Sequence, residues 1–282
     1  MTTISLVARG HRPGARFLFA LLAAASFPAT PAGAWGLAAH QAVNARAIDG
    51  LPKGLKEYYK AHRLEMPTLS LEATETEEGV DRRFAADRVL PFPFLDLPHT
   101  EAALKQSHPD LADKVGRLPW LLQESYARLV DAFRAKDKEK ILAESDLIAG
   151  LVTDLHNPLA LTENADGQKT GQHGLWTRFS LRLPEILQTV NKLKVDVDAA
   201  HFLDQPKEHV FGVMNATYVW LDNVLYEEDL AKRGKPGYDD IYYEDLAKRE
   251  GPIVRERLSA AAVNVGSYWY TAWTEAGRPE LK

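Results

Sequence analysis

Apolar residues recur at helical spacing over much of the chain, most clearly between Pro119 and Pro158. Two apolar stripes follow one another there, which predicts two antiparallel helices. The first stripe contains Leu122, Tyr126, Leu129, Val130 and Phe133, and the second contains Ile141, Ser145, Ile148, Val152 and Leu155. Gly150 and Asp154 lie four residues apart and away from the second stripe. We therefore expect them to share a face that the core does not cover.

The same pattern predicts further helices along the chain. One ends at the stop signal Gly50-Leu51-Pro52, and another spans Leu175 to Val195 with a disturbance at Pro184. An amphipathic helix spans Val210 to Leu225, and the last helix starts near Pro252. The sequence lacks strand-like alternation, so the predicted fold class is all-α, a single-domain multi-helix bundle.

The stretch from about Leu64 to Pro98 has no helical periodicity. It contains a glutamate cluster followed by prolines, a composition that favours loops and short extended pieces. These residues are Glu72, Glu75, Glu77, Glu78, Pro91, Pro93 and Pro98. Long loops in compact domains are often functional, but a solvated acidic loop explains the composition equally well.

The first 34 residues have the order of a secretory signal peptide. Three arginines precede the apolar run 17–25, and the small-residue sequence Ala32-Gly33-Ala34 follows it. The run is far shorter than the ~20 residues of a transmembrane helix. We therefore predict cleavage after Ala34, a mature domain of residues 35–282, and an exported protein, periplasmic or extracellular.

Composition narrows the function classes. The net charge is −5, and removal of the three signal-peptide arginines makes it −8, so non-specific nucleic-acid binding is not expected. The chain has no cysteine, so neither disulfides nor thiolate metal ligands are available. Any zinc site would have to use His, Asp, Glu or a terminal amine.

Cleavage after Ala34 would create such an amine on Trp35. The free amine and the carbonyl of Trp35 form a chelating pair, and His40 lies about one helical turn further on. The alternative is that Trp35 is an anchoring aromatic and His40 a surface residue.

Three segments together resemble a known superfamily. They are the Trp35-Gly36…His40 start, the sequence Asp154-Leu155-His156-Asn157-Pro158-Leu159, and the loop from Thr162 to Gln172. The combination is similar to the zinc-dependent phospholipases C and the single-strand-specific zinc nucleases of the S-one/P-one type. The resemblance implies an α-helical domain of the phospholipase C/P-one nuclease type, in which three zinc ions activate water and neutralise a phosphodiester.

The resemblance also implies site residues. Trp35, His40 and Asp154 match metal-ligand positions, Asp81 is a weaker match, and Asp154 is the candidate catalytic residue. The other ligand positions hold Pro93, Gly150, Ala160, Trp176 and Ser180. Most of these side chains cannot bind zinc, and serine does so poorly.

Two functions follow from this partial match. The first is a non-catalytic binding or structural homologue with a degenerate zinc site, whose former active-site cleft binds a ligand or protein. In that case the three-zinc cluster is not expected. The remaining ligands, Trp35, His40 and Asp154, suffice for one zinc ion. Alternatively, the Trp35 amine and the Asp154 carboxylate form an ion pair without a metal. The second is a metal-dependent phosphodiesterase with a reduced or relocated site.

Four further histidines are candidate ligands for a relocated metal site. His99, His108, His156 and His173 lie near the relevant segments, although each alone is more often structural. The sequence contains no Gly-x-Ser-x-Gly elbow and no glycine-rich phosphate loop, so a serine hydrolase or a nucleotide-binding protein has little support.

Overall fold

The long C-terminal helix organises the fold in the computed structural model, which describes residues 34–64, 66 and 82–281. This helix, α10, runs from Asp240 to Glu275. The Asp239 side chain caps its N-terminus by accepting a hydrogen bond from the Tyr242 amide. The remaining α-helices are α1 (Leu37–Gly50), α2 (Lys53–Ala61), α3 (Ala86–Val89), α4 (Glu101–Ser107), α5 (Leu118–Ala135), α6 (Lys138–Leu155), α7 (Leu183–Thr189), α8 (Pro206–Tyr218) and α9 (Leu221–Lys232).

Two short helices of other types lie between α6 and α7. Pro158–Leu161 forms a 3₁₀ turn, and Thr177–Arg182 forms a π-helix that continues into α7. Helix accounts for 65% of the structure, and no strand occurs among the described residues. The all-α prediction is therefore confirmed.

Helices α5 and α6 form the predicted antiparallel pair. Lys136 adopts a left-handed conformation (φ 55°) that ends α5, and the Asp137 side chain then caps α6 by accepting the Lys140 amide. Helix α10 packs against this pair and also against α1, α7, α8 and α9. By their mutual contacts the described residues form one compact unit.

An aromatic contact joins α2, α6 and α10 in the core. The Trp269 ring stacks on Tyr59 with centroids 4.6 Å apart, and its indole N–H donates to the Ser145 carbonyl at 3.0 Å. The Tyr59 and Ser145 hydroxyls are 2.6 Å apart. Because these buried polar atoms bond to one another, the aromatic rings add packing without unsatisfied groups. Ser145 therefore belongs to the core stripe, where the sequence pattern placed it.

Three helix predictions need correction. The segment predicted as one helix over 210–225 is two helices with a turn at Val219 and Trp220. The helix predicted to reach Val195 ends at Thr189, because Asn191 has a positive φ of 54° that reverses the chain.

The last helix begins at Asp240 rather than near Pro252, which lies inside it. Pro252 and Lys248 are both exposed. The Lys248 carbonyl, which loses its helical partner at the proline, can therefore bond to water.

None of the helices in the described part of the chain has the length and apolar character that a membrane span requires. The predicted signal peptide up to residue 33, the glutamate cluster and Asp81 lie outside the described residues. Residues 64, 66 and 82–98 of the irregular stretch are described, and residues 82–98 contain the short helix α3 and turns.

Candidate functional site

The segment around the predicted cleavage site is buried against α6 and the π-helix. Ala34 has no exposed surface and Trp35 is 2% exposed, with its ring packed against Phe179 at 5.2 Å between centroids. The Ala34 amide donates to Asp154 Oδ1 at 2.8 Å, and the Asn157 side chain donates to the Ala34 carbonyl at 2.6 Å. Ala34, the last residue before the predicted cleavage site, is therefore held by the side chains of Asp154 and Asn157.

Asp154 is wholly buried, and an arginine compensates its charge. Arg82, only 2% exposed, places Nη2 at 2.7 Å and Nε at 2.8 Å from Asp154 Oδ2. Burial opposes ionisation of this carboxyl, but the attraction of Arg82, with His40 and the Ala34 amide, outweighs it and lowers the pKa of Asp154. Asp154 is thus a buried carboxylate with a two-nitrogen guanidinium partner.

Three of the four predicted metal ligands lie together. His40 Nε2 and Trp35 N are each 3.3 Å from Asp154 Oδ1, whereas Asp81 lies outside the described residues. His40 is buried, not on the surface. The expectation that Gly150 and Asp154 share an uncovered face is wrong, because both are buried inside the bundle. The sequence pattern missed this because neither residue lies on the apolar stripe of α6.

The zinc implied by the resemblance can be tested against this donor set. Bonds of ~2.0–2.1 Å to a tetrahedral zinc place two ligand atoms about 3.3 Å apart. The two separations from Asp154 Oδ1 have that size, but Trp35 N is a peptide nitrogen in the unprocessed chain and cannot coordinate. Arg82 already occupies Oδ2. The donors thus suit at most one ion, after cleavage.

The positions of the remaining family ligands do not fit a three-ion cluster. Ala160 is 1% exposed and packs in the core, and Trp176 is 7% exposed. The Ser180 hydroxyl accepts a hydrogen bond from Asn157 at 2.9 Å, and its carbonyl accepts the Gly36 amide at 3.0 Å. Pro93 is exposed. These residues pack, cap or face solvent, and only Ser180 offers an oxygen.

The four other candidate histidines occupy separate environments. His99 stacks on Phe211 and its Nδ1 lies 2.6 Å from Glu208, His108 pairs with the neighbouring serine, and His173 is exposed. His156 is buried, which lowers its pKa to about 3. Its Nδ1 donates to the Val152 carbonyl and its Nε2 accepts from Asn264. No group of three or more His, Asp or Glu side chains is placed to hold a metal among the described residues.

A second buried ion pair connects the loop after Gly171 to α9 and α10. Glu228 accepts hydrogen bonds from Arg178 at 2.8 Å, Tyr242 at 3.0 Å and Gln172 at 2.8 Å. Glu250 lies nearby on α10 with no exposed surface, and its carboxyl oxygens have no hydrogen-bond partner among the described residues. Burial, reinforced by Glu228, raises the pKa of Glu250 well above its usual value.

Sequence reasoning missed Arg82, Arg178, Glu228 and Glu250. The available signal was small: Arg82 follows the candidate ligand Asp81, and Arg178 lies between Trp176 and Ser180, two positions that the resemblance assigns to metal ligands. Only the fold, however, shows which carboxylate each arginine contacts.

The structure contains a cavity of about 330 Å³ between the chain near Arg83, the turn at Gly116 and the loop from Thr162 to Gln168. The Arg83 guanidinium lies 5.4 Å from the centroid of the Trp176 ring. The cavity therefore lies near Trp176, one of the positions that the resemblance assigns to a metal ligand.

Comparison of the chain with protein-family models and with curated proteins finds no match.

Proposed function

We propose that this protein is an exported, non-catalytic homologue of the zinc phospholipase C and S-one/P-one nuclease type, with a binding or structural role. The observation that supports this proposal is the pairing of Arg82 with Asp154. A carboxylate that bridges metal ions in a working site needs its oxygens free for the ions, whereas one Asp154 oxygen here is taken by two guanidinium nitrogens at 2.7 and 2.8 Å.

The residues at the other ligand positions support the same proposal. Phosphodiester hydrolysis in the resembled family depends on metal ions that supply an activated water and positive charge at the phosphate. Ala160 and Trp176 contribute apolar packing instead. The arrangement stabilises the start of the domain and provides no activated nucleophile among the residues named above.

A metal-dependent phosphodiesterase with a reduced site is the second candidate. The observation that favours it is the 3.3 Å separation of His40 Nε2 and Trp35 N from Asp154 Oδ1. If export removes Ala34, a free amine takes the place of the Trp35 peptide nitrogen. These three groups would then hold the ion, which as a Lewis acid would polarise a phosphoryl oxygen.

An assay of the processed protein distinguishes the candidates. Intact mass should first show that the chain begins at Trp35. The protein is then incubated with single-stranded DNA, phosphatidylcholine or bis(p-nitrophenyl) phosphate, with added zinc or with a chelator. We expect no chelator-sensitive hydrolysis. Turnover at ~1 per second or faster, typical of enzymes, that disappears with the chelator would refute the non-catalytic proposal.

The matched variant for this assay is His40→Gln. It removes one candidate ligand and keeps the Arg82–Asp154 pair. Hydrolysis that the His40 variant loses would assign the activity to the reduced site. Activity that is equal in both proteins would point to a relocated site.

A further inference from the structure

The cavity next to Trp176 contains an excess of positive charge. Three basic residues line it, Arg83, Arg88 and Lys114, together with two acidic residues, Glu163 and Asp166. Its volume of about 330 Å³ falls at the lower end of the range for small-molecule sites. The contacts of the two acids decide whether the cations are compensated.

Both acidic side chains already have partners. Asp166 accepts the Gly174 amide at 2.9 Å and the Trp176 amide at 3.2 Å, so its carboxylate fixes the loop that carries Trp176. Glu163 pairs with Lys169, and its other oxygen lies 3.9 Å from Arg88. Neither acid forms an ion pair with Arg83 or Lys114.

Arg83 is half-buried and has no carboxylate partner among the described residues. Its guanidinium lies over the Trp176 ring, and its desolvation lowers its pKa. An arginine normally keeps its donors bonded when it leaves water, because unmade hydrogen bonds of a charged group are costly. Lys114, which also lines the cavity, is exposed and likewise forms no ion pair with the described residues.

We propose that this cavity binds a small dianionic oxyanion, such as the phosphate of a phosphomonoester, through Arg83 and Lys114, with Arg88 at its edge. The planar guanidinium of Arg83 suits two-oxygen contact with a phosphate, and the Trp176 ring holds that plane in place. A phosphomonoester carries a charge of about −1.5 to −2, which attracts the two cations that lack an ion pair among the described residues.

A second groove supplies the control for this proposal. This groove, of about 1010 Å³, is lined by five basic residues, Arg46, Lys192, Lys194, Lys248 and Arg255, and by three acidic residues, Asp196, Asp198 and Glu256. It is larger than the Arg83 cavity. Arg255, like Arg83, is partly buried and has no ion pair with the described residues. It is therefore a matched control.

The phosphate site rests on the proposed function and names a ligand class for it. Different experimental results would refute the phosphate site and the non-catalytic proposal. Chelator-sensitive hydrolysis would refute the non-catalytic proposal, whereas the phosphate site needs no metal. Binding is therefore measured with a chelator present, by titration calorimetry of the processed protein at constant ionic strength. The probes are inorganic phosphate, methyl phosphate and, as a monoanion, acetate.

We expect saturable binding of one phosphate per chain, weakened at least about tenfold in Arg83→Gln and in Lys114→Gln, and unchanged in Arg255→Gln. Acetate should bind at least about tenfold more weakly than phosphate. Equal binding of inorganic and methyl phosphate identifies the phosphate group as the ligand, and tighter binding of methyl phosphate identifies a monoester. Lys114 is exposed, so its variant keeps the test decisive if Arg83→Gln fails to fold. Absence of binding, or equal binding in all variants, would overturn the proposal.

Discussion

Asp154 and Glu250 are both carboxyl groups without exposed surface, yet their electrostatic surroundings are opposite. Asp154 lies against the Arg82 guanidinium and stays ionised, whereas Glu250 has no hydrogen-bond partner among the described residues and an elevated pKa. Arg178 attracts the Glu250 carboxylate but forms its hydrogen bonds with Glu228. Burial alone therefore does not set the charge of a carboxyl group, since a guanidinium about 2.7 Å away reverses its effect.

This difference bears on the function. Under the proposed function, the residue that corresponds to Asp154 in the resembled family would bind zinc. Here the guanidinium of Arg82 compensates the Asp154 carboxylate, which also accepts the Ala34 amide. Three predictions test the comparison, in order of expected effect.

Arg82→Met should cause the largest loss. It leaves the Asp154 carboxylate buried without its counterion, which costs ~3–5 kcal/mol of unfolding free energy. Urea denaturation at pH 7 measures the change. The control is Arg88→Met, whose pair with Glu163 is long and partly exposed and should change stability by about 1 kcal/mol or less. Equal losses in the two variants would mean that another group compensates Asp154.

Asp154→Asn should cost somewhat less, ~2–3 kcal/mol, because the amide oxygen still accepts from Arg82. The pKa of Asp154 is lowered in the folded chain, so its contribution is present above the unfolded pKa and is lost as pH falls through the folded pKa. The difference from wild type should therefore be constant near neutrality and shrink in acid. A difference that does not change with pH would contradict an ionised Asp154.

Glu250→Gln should have the smallest effect and the opposite sign, a gain of about 1 kcal/mol at pH 7. A raised folded pKa means that the contribution of Glu250 is present below pH 4.5 and is lost as pH rises, by up to about 1.4 kcal/mol per pH unit. Glutamine cannot ionise, so the gain should vanish near pH 4.5. Calorimetric unfolding across this pH range measures it.

Glu228→Gln is the matched control for that variant, because Glu228 pairs with Arg178 and lies near Glu250. It should destabilise the protein. A loss of stability in both variants would show that Glu250 carries a charge that a partner compensates.

The regular part of the fold follows from the sequence, and the electrostatics of the site do not. The α5–α6 pair has complete apolar stripes and a capping Asp137, so local pattern suffices there. The turn at Val219 and Trp220 has neither glycine nor proline, and the pattern continues through it. Pro252 is tolerated inside α10 because it is exposed, a property that spacing does not give.

At the site, motif matching brought Trp35, His40 and Asp154 together, as the structure does. It did not indicate Arg82, because the partner of a carboxylate 72 residues away in sequence depends on tertiary packing. The same holds for Glu250, whose neighbour Glu228 lies on another helix. The motif thus identified the Asp154 carboxylate, whereas tertiary packing determines that Arg82 is the cation that pairs with it.

The zinc content of a chain that begins at Trp35 tests most directly whether Arg82, rather than a metal ion, compensates the charge of Asp154. This chain is purified without chelator, dialysed against metal-free buffer and analysed by elemental mass spectrometry. We predict at most one tightly held zinc ion per chain, the number that Trp35, His40 and Asp154 can bind. Two or three tightly held ions per chain would contradict the account.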